Sequence, residues 1–283
     1  MRITWLTDIH LDFITSPDDI RSSIKNLDIF CSLILRENPD ACLITGDLSR
    51  HPFLKDHLLA LENRLQIPIY FVLGNHDFWG SDIATTRKLM IELTESSDNI
   101  TYLPVTNYFV LNNSTVLIGH DGWYDALYAE PQFSNFIMND WMRIGDFVNA
   151  GSIVNKRVNL DSIIRIARNQ ASLAANHVST AINEAIVRKN PKKIIIATHV
   201  PPFVQPLQNS RGSLSDKSPW YASKIMGNML LSIAKVNQSV QFEVFCGHCH
   251  NEYDGKITSN ILLHSGGAEY SQPQPQKTIE IFP

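Results

Sequence analysis

Residues 244–251 read Val244-Phe-Cys-Gly-His-Cys-His-Asn251, and two incompatible readings compete for them. Read by its cysteines, Cys246-Gly-His-Cys249 is a C-x-x-C dithiol, which works only where both thiols sit on the first turn of a helix and backbone amides lower the thiol pKa. Read by its histidines, it is an apolar run ending in Gly247 and a pair of imidazoles two residues apart. The chain that follows is His-Asn-Glu-Tyr-Asp-Gly255, a turn-rich stretch leading to a strand rather than a helix. No small βαβ redox block surrounds it, so the histidines decide the reading.

The rest of the chain bounds what such a site can do. At 283 residues it is long enough to bury most of its apolar surface. With 44% hydrophobic and 18% charged residues it has the composition of an ordinary globular protein. A net charge of -4 supplies no electrostatic footprint for bulk nucleic-acid binding. No apolar run approaches the roughly 20 residues of a spanning helix, and the start Met1-Arg-Ile-Thr-Trp-Leu-Thr-Asp8 turns polar too soon for a signal peptide. The expected location is cytoplasmic, with no membrane partner. The four cysteines, Cys31, Cys42, Cys246 and Cys249, are too few for a disulfide scaffold.

Short apolar runs at 3–7, 41–45 and 67–73 alternate with helical patterns within 17–36 and around 53–65, which predicts βαβ units and a sheet with parallel strands. A helix is expected over 80–96. Strands follow at 100–103, 108–111 and 115–119, with Asn112-Asn-Ser114 as a hairpin turn. Residues 123–161 carry aromatic and polar residues without clear period and read as an insertion or lid. From Ser162 to Arg188, Ile163, Ile166, Ala167, Ala174, Val178, Ala181, Ile182 and Ala185 recur at helical spacing, and Pro191 ends that long helix. A strand at 193–198, a loop over 201–219, a helix at 220–236 and strands at 242–246, 260–264 and 278–282 complete the pattern. The economical organisation is one domain, 1–283, with an insertion.

Five expected strand ends carry metal-competent groups: Asp8-Ile-His10, Gly46-Asp47, Gly74-Asn-His-Asp77, His199 and Gly247-His-Cys-His250. In open α/β sheets the carboxyl ends of strands are where ligands bind, so these groups are expected to meet in space. Two carboxylates, one amide oxygen and four imidazoles are too many donors for one tetrahedral ion and suit two ions sharing a carboxylate; the oxygen and nitrogen mix fits Mn, Fe, Zn, Co or Ni without selecting among them. The i, i+2 spacing of Asp8-x-His10 and of His248-x-His250 places each pair on one side of an extended segment. Glycines 46, 74 and 247 stand where the backbone must turn as a strand leaves the sheet.

Together, Asp8-x-His10, Gly46-Asp47, Gly74-Asn-His76-Asp77, His199 and Gly247-His248-x-His250 resemble the five signature motifs of the calcineurin-like metallophosphoesterases, all present and in the family's order over residues 8–250. The resemblance implies a four-layer α/β/β/α sandwich of two mixed sheets flanked by helices, with a helical or irregular insertion near 123–190. It assigns Asp8, His10 and His250 to one divalent ion, Asn75, His199 and His248 to the other, and Asp47 as the bridge. His76 matches the histidine that contacts the substrate phosphate and protonates the leaving oxygen, with Asn75 also substrate-facing and Asp77 orienting His76. The implied reaction is hydrolysis of a small phosphate mono- or diester by a hydroxide shared between two Mn, Fe or Zn ions.

Departures from subfamily patterns narrow this. Protein Ser/Thr phosphatases carry Gly-Asp-x-x-Asp-Arg-Gly and Gly-Asn-His-Glu, whereas this chain has Gly46-Asp-Leu-Ser-Arg-His-Pro52 and Gly-Asn-His-Asp77. Thr198-His-Val-Pro-Pro202 is similar to the cyclic-nucleotide-phosphodiesterase-like and general bacterial branches. Repair nucleases share Asp8-Ile-His-Leu11 but bring a DNA-binding extension absent here; lipid-A-pathway pyrophosphatases share it too but call for a membrane-docking helix. The alternatives are a catalytically weak metal-binding scaffold or a nuclease. Among the remaining polar residues, His51, His57, His120, His177 and His264 read as structural. Asp12 is either an acceptor behind a ligand histidine or the start of a loop. Arg50 and Asn251 flank motifs as loop residues, and Met226, Met229 and Leu230 read as core.

Overall fold

The computed structural model describes residues 1–16, 18–154, 157–208 and 210–282. Pro17, where the first helical pattern begins, and residues 155 and 156 of the insertion lie outside the described residues. In the first half of the chain the strands are β1 (Arg2–Leu6), β2 (Ala41–Thr45), β3 (Ile69–Val72), β4 (Ile100–Tyr102), β5 (Phe109–Val110) and β6 (Thr115–Gly119). Helices α1 (Ile20–Arg36), α2 (His51–Leu65) and α3 (Ile83–Ser96) follow β1, β2 and β3. The insertion holds α4 (Asp140–Arg143), α5 (Gly145–Asn149) and a small hairpin of β7 (Ile153–Val154) and β8 (Arg157–Val158). Then come α6 (Leu160–Lys189), β9 (Lys193–Ala197), α7 (Lys224–Val236), β10 (Gln241–Cys246), β11 (Tyr253–Thr258), β12 (Ile261–Ser265) and β13 (Lys277–Glu280).

Two mixed sheets form. The first has the order β13-β1-β2-β3-β4, with β1 to β4 parallel and β13 antiparallel at the edge. The second has the order β11-β12-β10-β9-β6-β5, its four inner strands parallel and its two edges antiparallel. Strand alternation builds four layers from these sheets. Ile3, Trp5, Ala41, Leu43 and Val72 of the first sheet meet Leu117, Ile195, Ala197 and Phe245 of the second, making the core between the sheets. The opposite faces bury Leu6, Cys42, Ile44 and Phe71 against α1 to α3, and Ile118, Ile194, Ile196 and Val244 against α6 and α7. This is the expected α/β/β/α sandwich.

Helix ends follow from local chemistry. Asp19, Asp82, Asn159 and Ser223 accept the backbone amides of Ser22, Thr85, Ser162 and Met226 as N-caps of α1, α3, α6 and α7. These caps explain why α3 starts at Ile83 rather than 80 and α7 at Lys224 rather than 220; Trp220 closes a separate 3-10 turn, Ser218–Trp220. At the other end of α6, Asn190 takes a left-handed conformation (φ 46°) before Pro191. The 30 residues of α6 extend roughly 45 Å, so Ile163, Ala167 and Ala171 pack with the first sheet's helices while Val178, Ala181 and Ile182 pack on the second sheet. Three strands are not anticipated by the sequence pattern, the β7–β8 hairpin of the insertion and β11. β11 is an edge strand whose Tyr-Asp-Gly-Lys-Ile-Thr mixes charge and glycine, because only one side of it is covered.

Candidate active site

The carboxyl ends of β1, β2 and β3 in one sheet face those of β9 and β10 in the other, and the loops leaving them are laced by backbone hydrogen bonds. Asp8 and His10 amides donate to the Gly46 and Asp47 carbonyls at 3.0 and 2.9 Å, and Gly247 donates to His199 at 2.9 Å. The expected extended geometry of Asp8-x-His10 and His248-x-His250 is corrected here: all four residues are left-handed, with φ of 49°, 39°, 69° and 55°, as is Asp47 at 52°. Among the described residues, five of the ten non-glycine residues with positive φ are therefore candidate ligands, a conformation that costs free energy and concentrates at functional sites. It is the kink at each residue, not strand alternation, that turns these side chains inward. Glycines 74 and 247 are needed for room rather than for turning. A Cβ on Gly74 would sit 2.2 Å from Asp47 Oδ1, and one on Gly247 would sit 2.1 Å from Asp8 Oδ2.

All seven predicted donors come together, in two groups. Ligand atoms of Asp8, His10, Asp47 and His250 lie within 4.8 Å of one another. His250 Nε2 is 3.3 Å from Asp8 Oδ1, and His10 Nε2 is 3.4 Å from His250 Nε2 and 3.7 Å from Asp47 Oδ2. In the second group His199 Nε2 lies 3.1 Å from Asn75 Oδ1, and His248 Nδ1 lies 2.8 Å from the same oxygen. Asp47 stands between them, with Oδ2 toward His10 and Oδ1 3.4 Å from His199 Nε2.

Hydrogen bonding on the far side of each ring tests whether this cluster suits cations. His199 Nδ1 is 2.9 Å from the Thr45 carbonyl and His248 Nε2 is 3.0 Å from the Trp220 carbonyl, contacts that only an N–H satisfies. Burial and the neighbouring His199 push His248 down to about 3, so that ring is neutral. In the neutral tautomer so fixed, His248 Nδ1 presents a lone pair, and the contact of His199 Nδ1 with Thr45 leaves His199 Nε2 turned toward the same amide oxygen. Asn75 donates Nδ2 to Asp140 Oδ1 at 2.9 Å, which turns its Oδ1 toward both rings. Between His248 and Asn75 lone pair faces lone pair at hydrogen-bond distance with no proton between them, an arrangement that a cation relieves. Metal bonds of about 2.0–2.2 Å separate two ligands of one ion by roughly 2.8–3.5 Å, the spacing most of these atoms already have. Burial together with the charge of Asp8 pushes Asp47 well above the usual carboxylate range, a repulsion that positive ions also offset. The donor set fits two divalent ions.

His76 is buried beside the cluster, its ring stacked on Trp79 with centroids 3.6 Å apart and its backbone amide donating to Asp47 Oδ1 at 2.8 Å. Burial, then the imidazoles of His10, His199 and His248, hold it well below the ordinary histidine value. The expected role of Asp77 as the residue orienting this ring is corrected: its two oxygens accept the Ser49 amide at 2.8 Å and the Gly74 amide at 2.7 Å. Among the described residues His76 Nδ1 has no hydrogen-bond partner, so stacking on Trp79 sets the ring. Burial and the adjacent Asp47 raise the Asp77 pKa while those two amides oppose the rise. Asp77 thus ties the β2 and β3 loops together. Asp12 pairs with Arg50 Nε at 2.7 Å rather than with a ligand histidine. His57 bridges Ser49 and Thr15, His51 contacts Thr86, and His264 stacks on Phe245, all structural positions.

Several participants are not evident from sequence. A cleft of about 470 Å³ over Asp47, Asn75 and His248 is walled by Phe136, Lys217, Tyr221 and Tyr270. The Tyr270 ring lies 4.7 Å from that of His10 and 5.1 Å from that of His250. Beneath the site, buried Asp121 accepts the Leu73 amide, the Tyr102 hydroxyl and Arg87 Nε at 2.8 Å, while its carbonyl accepts the His199 amide at 2.9 Å. Cys246 is buried and donates to the His264 carbonyl; Cys249 Sγ contacts Ser265 Oγ at 3.3 Å, and burial pushes its thiol up to about 11. Neither cysteine is on a helix.

Comparison with known proteins gives the same placement. Calcineurin-like phosphoesterase is the description of the family whose sequence profile matches residues 1–252. A search of curated proteins finds no match. Among solved structures, a dimetal phosphatase from Danio rerio is similar at 14% identity and a TM-score of 0.56, covering 94% of this chain and 87% of that one. Phosphopantetheinyl hydrolase from Mycobacterium tuberculosis is similar at 12% identity and a TM-score of 0.60, with 96% and 94% covered. At such identities the likeness is one of fold. Among the described residues no helix is long and apolar enough to cross a membrane. With the profile spanning nearly the whole chain and its donors gathered at the ends of the two sheets, this chain belongs to the calcineurin-like phosphoesterase family.

Proposed function

We propose that the protein hydrolyses a small phosphate mono- or diester with two divalent ions, of Mn, Fe or Zn, one held by Asp8, His10 and His250, the other by Asn75, His199 and His248, with Asp47 shared. The observation that supports this most directly is the set of donor atoms His199 Nε2, His248 Nδ1 and Asn75 Oδ1 turned toward one another, each held by a hydrogen bond on its far side. When bound, such ions lower the pKa of coordinated water toward neutrality and neutralise the phosphoryl oxygens.

The chain's own groups supply the rest. Most of the donors are buried at the floor of the cleft, with His250 partly exposed at its edge. Thr45 and Trp220 carbonyls hold His199 and His248 in the tautomers that leave Nε2 and Nδ1 free to coordinate. His76 is placed at the cleft to give a proton to the leaving oxygen. Burial beside three imidazoles holds its pKa well below the ordinary value in the free protein, and the negative charge of a phosphate ester entering the cleft favours the imidazolium. The likeness in fold to a dimetal phosphatase and to a phosphopantetheinyl hydrolase agrees with this reaction class.

The test joins metal analysis to a variant. Wild type expressed with Mn2+ should carry close to two equivalents and hydrolyse an aryl phosphate mono- or diester, whereas Asp47→Asn should lose at least 100-fold in turnover. Near-zero metal in folded wild type, or unchanged turnover in Asp47→Asn, would refute the reading.

A further inference from the structure

The insertion contributes one carboxylate to the machinery. Asp140, on α4, is fully buried. Its Oδ1 accepts two hydrogen bonds, from Asn75 Nδ2 at 2.9 Å and from Trp79 Nε1 at 2.8 Å, and Tyr124 donates its hydroxyl to Oδ2 at 3.3 Å. Each Oδ1 partner governs a different part of the site. An amide rotates through two orientations of similar shape, and the acceptor at Asp140 dictates that Asn75 turns its oxygen, not its NH2, toward His199 and His248. Trp79 is the ring on which His76 stacks, with the Arg143 guanidinium 4.7 Å from its centroid. Trp79 is thus held at its edge by Asp140 while its faces meet His76 and a cation.

From this we infer that Asp140 is a positioning residue for both halves of the site: its Oδ1 fixes the amide of Asn75 for the ion shared with His199 and His248, and through the Trp79 indole it sets the ring of His76. The inference rests on the two-ion reading above. Asp140 touches no reacting atom, and what it supplies is an acceptor at one point. Groups that orient metal ligands in this way typically change metal affinity by about 10- to 100-fold when removed. The two donors converge on the same oxygen. An amide in place of the carboxylate therefore keeps both bonds and offers its NH2 to the Tyr124 hydroxyl, which accepts as readily as it donates.

Mn2+ binding by equilibrium dialysis, with folding checked by circular dichroism, decides the matter. Wild type should bind two equivalents. Asp140→Ala should keep one and bind the second at least 10-fold more weakly, and Asp140→Asn should bind both within about two-fold of wild type. Asp140→Ser, with a hydroxyl and space for water, carries the same expectation as Ala and serves if Ala does not fold. Trp79→Phe, which keeps a ring for His76 but loses the N–H, should keep both equivalents and move the pH profile of turnover. Two full-affinity equivalents in Asp140→Ala or Asp140→Ser would overturn the inference and leave the two-ion reading intact. A loss in Asp140→Asn equal to that in Ala would overturn the acceptor role, and loss of the second equivalent in Trp79→Phe would overturn the separate assignment of the Asn75 arm. Wild type without two equivalents would sink the two-ion reading and this inference together.

Discussion

Replacing Asp77 with Asn separates a structural carboxylate from a catalytic one. In the fold, the two oxygens of Asp77 each accept a buried backbone amide, Ser49 at 2.8 Å and Gly74 at 2.7 Å, and neither reaches the His76 ring. Asparagine is nearly the same size, so it leaves no cavity. Its NH2 must however face one of those two N–H groups, setting donor against donor and leaving one buried amide unsatisfied, at a cost of about 1–3 kcal/mol. An unfolding entropy of about 2.1 cal/mol/K per residue makes 2 kcal/mol worth roughly 3 °C in a chain of 283 residues. Asp77→Ala orphans both amides and should lose about twice as much. The assay is thermal unfolding in the presence of chelator, so that metal does not mask the loss, with turnover measured separately at saturating Mn2+. Asp77→Asn should melt about 3 °C lower and keep most of its turnover at low temperature. An unchanged melting point with a collapse in turnover would refute the reasoning and return Asp77 to the chemistry at His76.

Arg87→Met should destabilise the fold by about 3 kcal/mol near neutral pH, because the buried carboxylate of Asp121 then loses its cation. Burial raises the Asp121 pKa, but Arg87 and His120 outweigh it and hold the group below its ordinary value. The stability this pair contributes is therefore present above the unfolded carboxylate pKa of about 3.9 and is lost as pH falls below it. The gap in melting temperature between wild type and Arg87→Met should narrow below about pH 4, and a gap independent of pH would contradict the ion-pair account. Cys249→Ser should keep turnover within about two-fold of wild type, and the wild-type thiol should react slowly with iodoacetamide at pH 7, as a group raised to about 11 does; rapid labelling with loss of turnover would reverse that conclusion.

The donor residues are legible in the chain because each lies in a short local pattern: an apolar run that must be a strand, then a polar residue where the strand leaves the sheet. The stretch at 244–251 shows this well, since Tyr253 starts an edge strand and no helix follows to activate a dithiol. Layer order is what the family resemblance implies, and the strands of the folded protein agree with it. Val116 and Ile118 against Leu117, or Ile194 and Ile196 against Ile195, are all apolar, and strands apolar on both faces must be covered on both.

Tertiary structure decides the rest. Asp77 looks like a partner of the adjacent His76, yet a 3-10 turn from His76 to Phe78 sends its carboxylate under the loop to distant amides. Left-handed kinks at Asp8, His10 and His248 are offset by hydrogen bonds of their amides to loops of other strands, so no local pattern announces them. Asp140 stands 65 residues after Asn75, in a segment whose sequence has no period. Sequence by itself determines which atoms can coordinate and which strands carry them, because donor chemistry and strand ends are local properties; which way each donor faces is set by hydrogen-bond partners far along the chain, and only the folded structure brings those within reach.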